Sequence, residues 1–371
     1  MPTLTDDIRL TRARKSIVVG LPLAITVTWL LYVSLAGHWP RIVDNWRSVL
    51  TMVFGSFVAG STPQGGGAVA FPVFTKILET PAAVARTFSL SIQAVGMVTA
   101  AAAILLSGKR VEWRAVIAGG AAGAVGFLTG LFLLGNPDHP FWASRLPEPY
   151  VKVTFTLAYI VYLALDEDEC GVPILPTWTP RVWAGTIVAG FIGGTASALL
   201  GSGVDVLVFL FIVIVAGLHP RVGVPTSVLA MAAVSMLGFV VLGIIDGQLA
   251  TTVVDGSVVA VGGAAVAATS AARTDIFGMW IAAVPIVVWG APVGTHFVHR
   301  LGERRLIQFL AGMAAIEVLS TAIFLPGLWT NPILLTYGTV GMLCILALVR
   351  WLYRSRSWIL GSAWPVLTKK A

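Results

Sequence analysis

Apolar residues in this chain come in runs of roughly 20, parted by short polar breaks, and that spacing leaves few folds open to it. A run of that length is what a helix needs to cross a hydrocarbon core of about 30 Å at about 1.5 Å per residue. Composition points the same way. Residues of the set AVILMFWYC make up 57% of the 371 and charged residues only 11%, against about 25% charged in a soluble domain. So few charges cannot cover a soluble surface. Many of the 13 tryptophans flank the runs, as Trp29, Trp39, Trp46, Trp142, Trp178, Trp329 and Trp351 do, where headgroup-level anchoring is expected. The net charge of +7 does not point to nucleic acid, because many Lys and Arg lie in connections and tails, where positive charge sets topology. Cys170 and Cys344 form no spacing pattern. The first run follows Arg9, Arg12, Arg14 and Lys15 and is long enough to stay as a helix, so no cleavable leader is expected.

Spans are predicted at about 16–36, 82–107, 112–135, 150–165, 222–245, 278–299, 304–325 and 332–352. Two longer stretches, about 47–79 and 182–217, are interrupted by glycine, at 62–67 and at 201–203. Residues 251–275, rich in Ala, Gly, Val and Thr, read as a loop. The halves resemble each other. Residues 65–72 match 203–210 in texture, 81–87 match 220–226, and Trp113 to Gly130 matches Trp280 to Gly294. The expected fold is an all-α polytopic membrane protein of two homologous halves. Each half is a broken, re-entrant helix plus three transmembrane helices, and further spans lie at the N- and C-termini. The segments are an N-terminal tail and first helix (1–46), a first repeat (47–165), a central loop (166–181), a second repeat (182–325), and a last helix with a basic tail (326–371).

The broken stretches dip in and return as hairpins or cross once. Arms of 16 and 12 residues rise roughly 18–24 Å, short of the core thickness, which favours hairpins and eight full spans. The alternative is ten spans and a parallel repeat. Charge does not separate the two. Both put the termini and Arg300, Arg304 and Arg305 inside. The hairpin form adds Lys109, Arg110 and Arg114, and the crossing form Arg86, Arg145 and Lys152.

Paired breaks point to a transport site. Glycine lets backbone leave the helix, and the N-termini restarting near Ala68 and Val204 would aim free amides at an anion. The bland reading is that these glycines only permit close packing. Candidate ligand contacts are Gln64, Gly65, Gly66 and Gly67 at the first break and Ser202 and Gly203 at the second. On the spans that follow, Ser89, Gln93, Thr226 and Ser227 join them, with Thr87, Ser91 and Ser235 nearby. Their alternative is helix-to-helix or backbone bonding. Buried charge is costly, so Asp205 is a candidate for ion coupling and Glu317 for a structural pair. Arg86 and Arg221, near helix ends, are expected to snorkel outward. His296 and His299 share a face but no further ligand completes a metal set. No catalytic group, cofactor or phosphate-binding loop is read, so an enzyme is not expected.

Pro63-Gln64-Gly65-Gly66-Gly67 with Pro72, and Gly201-Ser202-Gly203-Val204-Asp205 with Thr226-Ser227, resemble the paired motifs of the TauE/SafE sulfite exporter family (DUF81 or TSUP) over about 49–325. The resemblance implies secondary transport, usually outward, of a small sulfur-containing anion such as sulfite, a sulfonate or sulfoacetate. It places the chain in the inner membrane of a bacterial or archaeal cell, with cytoplasmic termini. Partners are then the anionic solute and the lipid bilayer, with a coupling proton and a homodimer as further candidates and no nucleic acid. Pro63 departs from the first motif and Val204-Asp205 from the second. An acid in an anion cage repels its cargo unless protonated or paired. Other readings are a cation or metal permease using Asp205 and Glu317, and a non-transporting membrane scaffold.

Overall fold

The computed structural model describes residues 12–62, 65–66, 70, 73–78, 80, 82–134, 174–175, 177–254, 257–261, 273–300, 332–360 and isolated positions between 305 and 323. The predicted spans at 150–165 and 304–325 lie outside the described residues or barely touch them. Six described helices are long and apolar enough to cross a membrane. The architecture is that of an all-α polytopic membrane protein.

The helices are α1 (Arg12–Leu35), α2 (Trp39–Asp44), α3 (Trp46–Ser61), α4 (Ala82–Leu106), α5 (Trp113–Leu134), α6 (Pro180–Leu200), α7 (Val204–Phe209), α8 (Pro220–Gly238), α9 (Ile276–Arg300), α10 (Pro332–Arg354) and α11 (Arg356–Leu360). π-helical turns occupy Val73–Ile77, Leu210–Val215 and Phe239–Ile245. Residues 251–275 differ from the expected loop. Strands Thr251–Val254, Ser257–Val261 and Arg273–Asp275 form a small antiparallel sheet with the first strand central. The β-branched run Thr251-Thr252-Val253-Val254 suits a pleated pair, and alternation was too short there to separate strand from loop.

The described chain falls into two compact units, each drawing segments from both halves of the sequence. The first holds 1–109, 200–202 and 231–297. Its centre is α4, of whose apolar window 67% is buried, against 11% for α1. Phe88 and Ile92 of α4 pack with Phe74, Met52, Met279 and Val287. Glycine and small residues bring α3 and α9 together: a Cβ at Gly60, Gly290 or Gly294 would run into Ala291, Ser56 or Phe57. Indole ties add to this. Trp29 Nε1 donates to Ile281 O at 2.7 Å and Trp280 Nε1 to Ser91 O at 3.0 Å. Trp29 therefore serves a helix contact, beyond the headgroup role expected of it.

The second unit holds 110–199, 203–230 and 298–371. Here α5 and α6 cross where Gly190 and Gly194 of α6 meet Gly119 and Gly123 of α5, whose backbone leaves no room for a Cβ on either α6 glycine. Val208 of α7 sits against Gly119.

The arm-length argument holds for α3, with 16 residues, and fails for α6, with 21 residues. The latter rises about 30 Å and is long enough to span alone.

Candidate functional site

Two chain breaks carry the left-handed backbone that glycine alone adopts readily. Gly65 has φ +68° and Gly201 has φ +76°. Each is followed by a π-helical turn at a similar distance, starting at Val73 and at Leu210. Left-handed Gly201 lies two residues before Gly203, the position that sequence texture pairs with Gly65. π-helical turns recur at functional sites because they leave irregular backbone and shifted side chains.

The first break packs on α3. A Cβ at Gly66 would lie 3.2 Å from Gly55 O and 3.3 Å from Ala59 Cβ. Gln64 and Gly67 lie outside the described residues.

The second break meets α4. Gln93 Nε2 donates to Gly201 O at 2.7 Å and to Ser89 Oγ at 2.9 Å. Ser89 Oγ lies 3.5 Å from the same carbonyl. A Cβ at Gly201 would lie 2.8 Å from Ser89 Cβ and 3.2 Å from Arg86 O. Arg86, Ser89 and Gln93 stand at i, i+3 and i+7, one face of a helix. All three are buried, at 3%, 0% and 2% exposure. Arg86 does not snorkel outward as its place near a helix end suggested. Helix phase, which puts it under Ser89 and Gln93, was the signal that could have found it. Ser202 is buried beside this group in sequence.

At the restart of α7 the free amides are already taken. Asp205 Oδ1 accepts from Gly203 N at 3.2 Å and Val206 N at 3.0 Å. Ser197 Oγ accepts from Val204 N at 3.3 Å. The chain's own carboxylate thus sits where these amides were expected to hold an anion. Gly203 is also a packing residue, since a Cβ there would lie 2.7 Å from Gly193 O.

Thr226 and Ser227 are fully buried and spent on backbone. Thr226 Oγ1 donates to Val222 O at 2.7 Å and accepts from Glu112 N at 3.0 Å, tying α8 to the start of α5. Ser227 Oγ donates to Val224 O at 3.0 Å. Thr87 Oγ1 bonds Gln248 Oε1 at 2.6 Å and Ser91 and Ser235 are buried. Glu317 lies outside the described residues. Among the described residues no group of three or more His, Cys, Asp or Glu is placed to hold a metal ion.

Long apolar helices, two glycine breaks and buried polar side chains on the helix beside one of them define a multi-span membrane permease. The sulfite exporter TauE/SafE family matches residues 48–321, and the chain belongs to that family. It is a family of transporters, not enzymes. No curated protein and no solved structure matches the chain.

Proposed function

We propose that the chain is a secondary permease, working as an exporter, for a small sulfur-containing oxyanion such as sulfite or a sulfonate. One observation carries the reading: the buried α4 face of Arg86, Ser89 and Gln93 that closes on the Gly201 break. A cation buried among apolar helices marks a functional position, and guanidinium suits oxyanions better than any other side chain does. Family membership supports the sulfur class. Ser202 and, on the first break, Gly65 and Gly66 complete the proposed path, with Gln64 and Gly67 as further candidates. The inner membrane of a bacterial or archaeal cell, with cytoplasmic termini, is the setting this reading implies.

The cation reading is weaker. Asp205, its main acid, is engaged by two backbone amides. Purified protein in proteoliposomes tests the choice. Sulfite flux is expected in the wild type, and at least about tenfold less in Arg86→Gln, which keeps volume and loses the charge. Unchanged flux in that variant, or flux of divalent cations in place of anions, would sink the proposal.

A further inference from the structure

The Gln93 carboxamide has both N–H donors committed, to Gly201 O and to Ser89 Oγ. That pairing decides which amide atom is which, because turned over Oε1 would face the carbonyl oxygen, acceptor against acceptor. The Ser89 hydroxyl lies against the same carbonyl, the acceptor within reach of its one proton. Gln93 Oε1 is left buried with no partner among the described residues. A buried acceptor left unmatched is destabilising unless a donor reaches it. Ser89 and Gln93 between them therefore have an acceptor to spare and no donor to offer.

A fully deprotonated oxyanion brings only acceptors, and at Gln93 it gains nothing. We infer that this side chain reads the protonation state of the cargo: Gln93 Oε1 accepts an O–H from a monoprotonated oxyanion, hydrogensulfite where the cargo is sulfite. The inference rests on the anion-permease reading above. Gln93 thus favours the hydrogen-bearing monoanion over the dianion and, among the proposed cargoes, over sulfonates that lack a donor.

Few protein groups compete as the source of a pH effect. The π-helical turn Phe239–Ile245, residues 248–250, and α9 from Ile276 to Thr295 carry no titratable side chain, and the acids at their edges are Asp246 and Asp275. α3 carries Arg47, the turn Val73–Ile77 carries Lys76, α1 carries Tyr32 between 17 and 35, and α4 itself carries Arg86. Along the chain from the break, the nearest acid is Asp205.

The test is the affinity of purified protein for sulfite and for methanesulfonate, from about pH 6 to about pH 9. Hydrogensulfite loses its proton near neutrality, and methanesulfonate stays a donor-free monoanion throughout. Wild-type affinity for sulfite is expected to fall about tenfold per pH unit on the alkaline side, with methanesulfonate weak and flat. Gln93→Met should flatten the sulfite profile, and Asp205→Asn should keep it. A flat wild-type profile would mean that an ordered water satisfies Oε1, and would overturn the inference while leaving the anion permease standing. The same slope for methanesulfonate, or an unaltered slope in a folded Gln93→Met, would also overturn it. No sulfite binding at any pH would overturn the sulfur-anion reading itself, and this one with it.

Discussion

Gly201 holds a left-handed backbone with Ser89 packed where a side chain would go. Gly201→Ala meets both obstacles. The backbone alone costs about 1–2 kcal/mol for an L-residue, and the clash adds to it. We expect a lower denaturation midpoint in detergent and lost transport, and a variant with both at wild-type levels would remove the break from the site. Asp205 behaves differently. Asp205→Asn keeps an oxygen for Gly203 N and Val206 N, whereas Asp205→Ala leaves both buried amides unmatched, at about 1–3 kcal/mol each. The alanine variant should therefore be clearly less stable than the asparagine variant. Equal loss in both would mean that the charge matters and the acceptor does not. Ser89 and Gln93 were legible as candidates because polar side chains stand out on an apolar helix. Arg86 was misread because distance from a helix end says nothing about which face a residue occupies. Asp205 was seen as a charge at a break, and only its two amide bonds show that it caps its own chain.

The connection from α4 to α5 carries the clearest pH effect. Lys109 Nζ donates to Thr295 O of α9 at 2.6 Å. Burial pushes the Lys109 amine down from 10.5 to about 8. The folded chain thus holds this proton less well than the unfolded chain. From about 8 to 10.5 the unfolded state binds more protons, so stability rises with pH across that window. Below about 8 both states are protonated and the burial penalty is constant. Lys109→Met removes the titration. Midpoints for wild type should rise relative to this variant across the window, and a relative fall would mean that the bond to Thr295 outweighs burial. Helices of this kind were legible because a span needs only length and apolarity. The sheet at 251–275 was not, because strands of three to five residues carry too short a pattern.

At the scale of the molecule, topology turns on the first half. α3 is too short to cross alone, and Arg86 is buried and so cannot count as a loop cation. Lys109 is largely buried too, which leaves Arg110 and Arg114 against Arg145 and Lys152, an even count, so the hairpin rests on the length of α3. The connection after α4 should then lie on the same side as the N-terminal tail. In a background lacking Cys170 and Cys344, Arg110→Cys should react with an impermeant maleimide from the side that labels a cysteine in the tail. Labelling from the opposite face would establish a crossing first element. Membership of the family and the helical, membrane-spanning class could be read from the order of residues alone. Apolar run length and glycine spacing are properties of the chain taken in line, and a bilayer imposes them whatever the helices then do. Which side chains share the site could not be read this way. Gln93 and Gly201 stand 108 residues apart, and Gln93's donors have a carbonyl to meet only because a left-handed glycine packs on one face of α4.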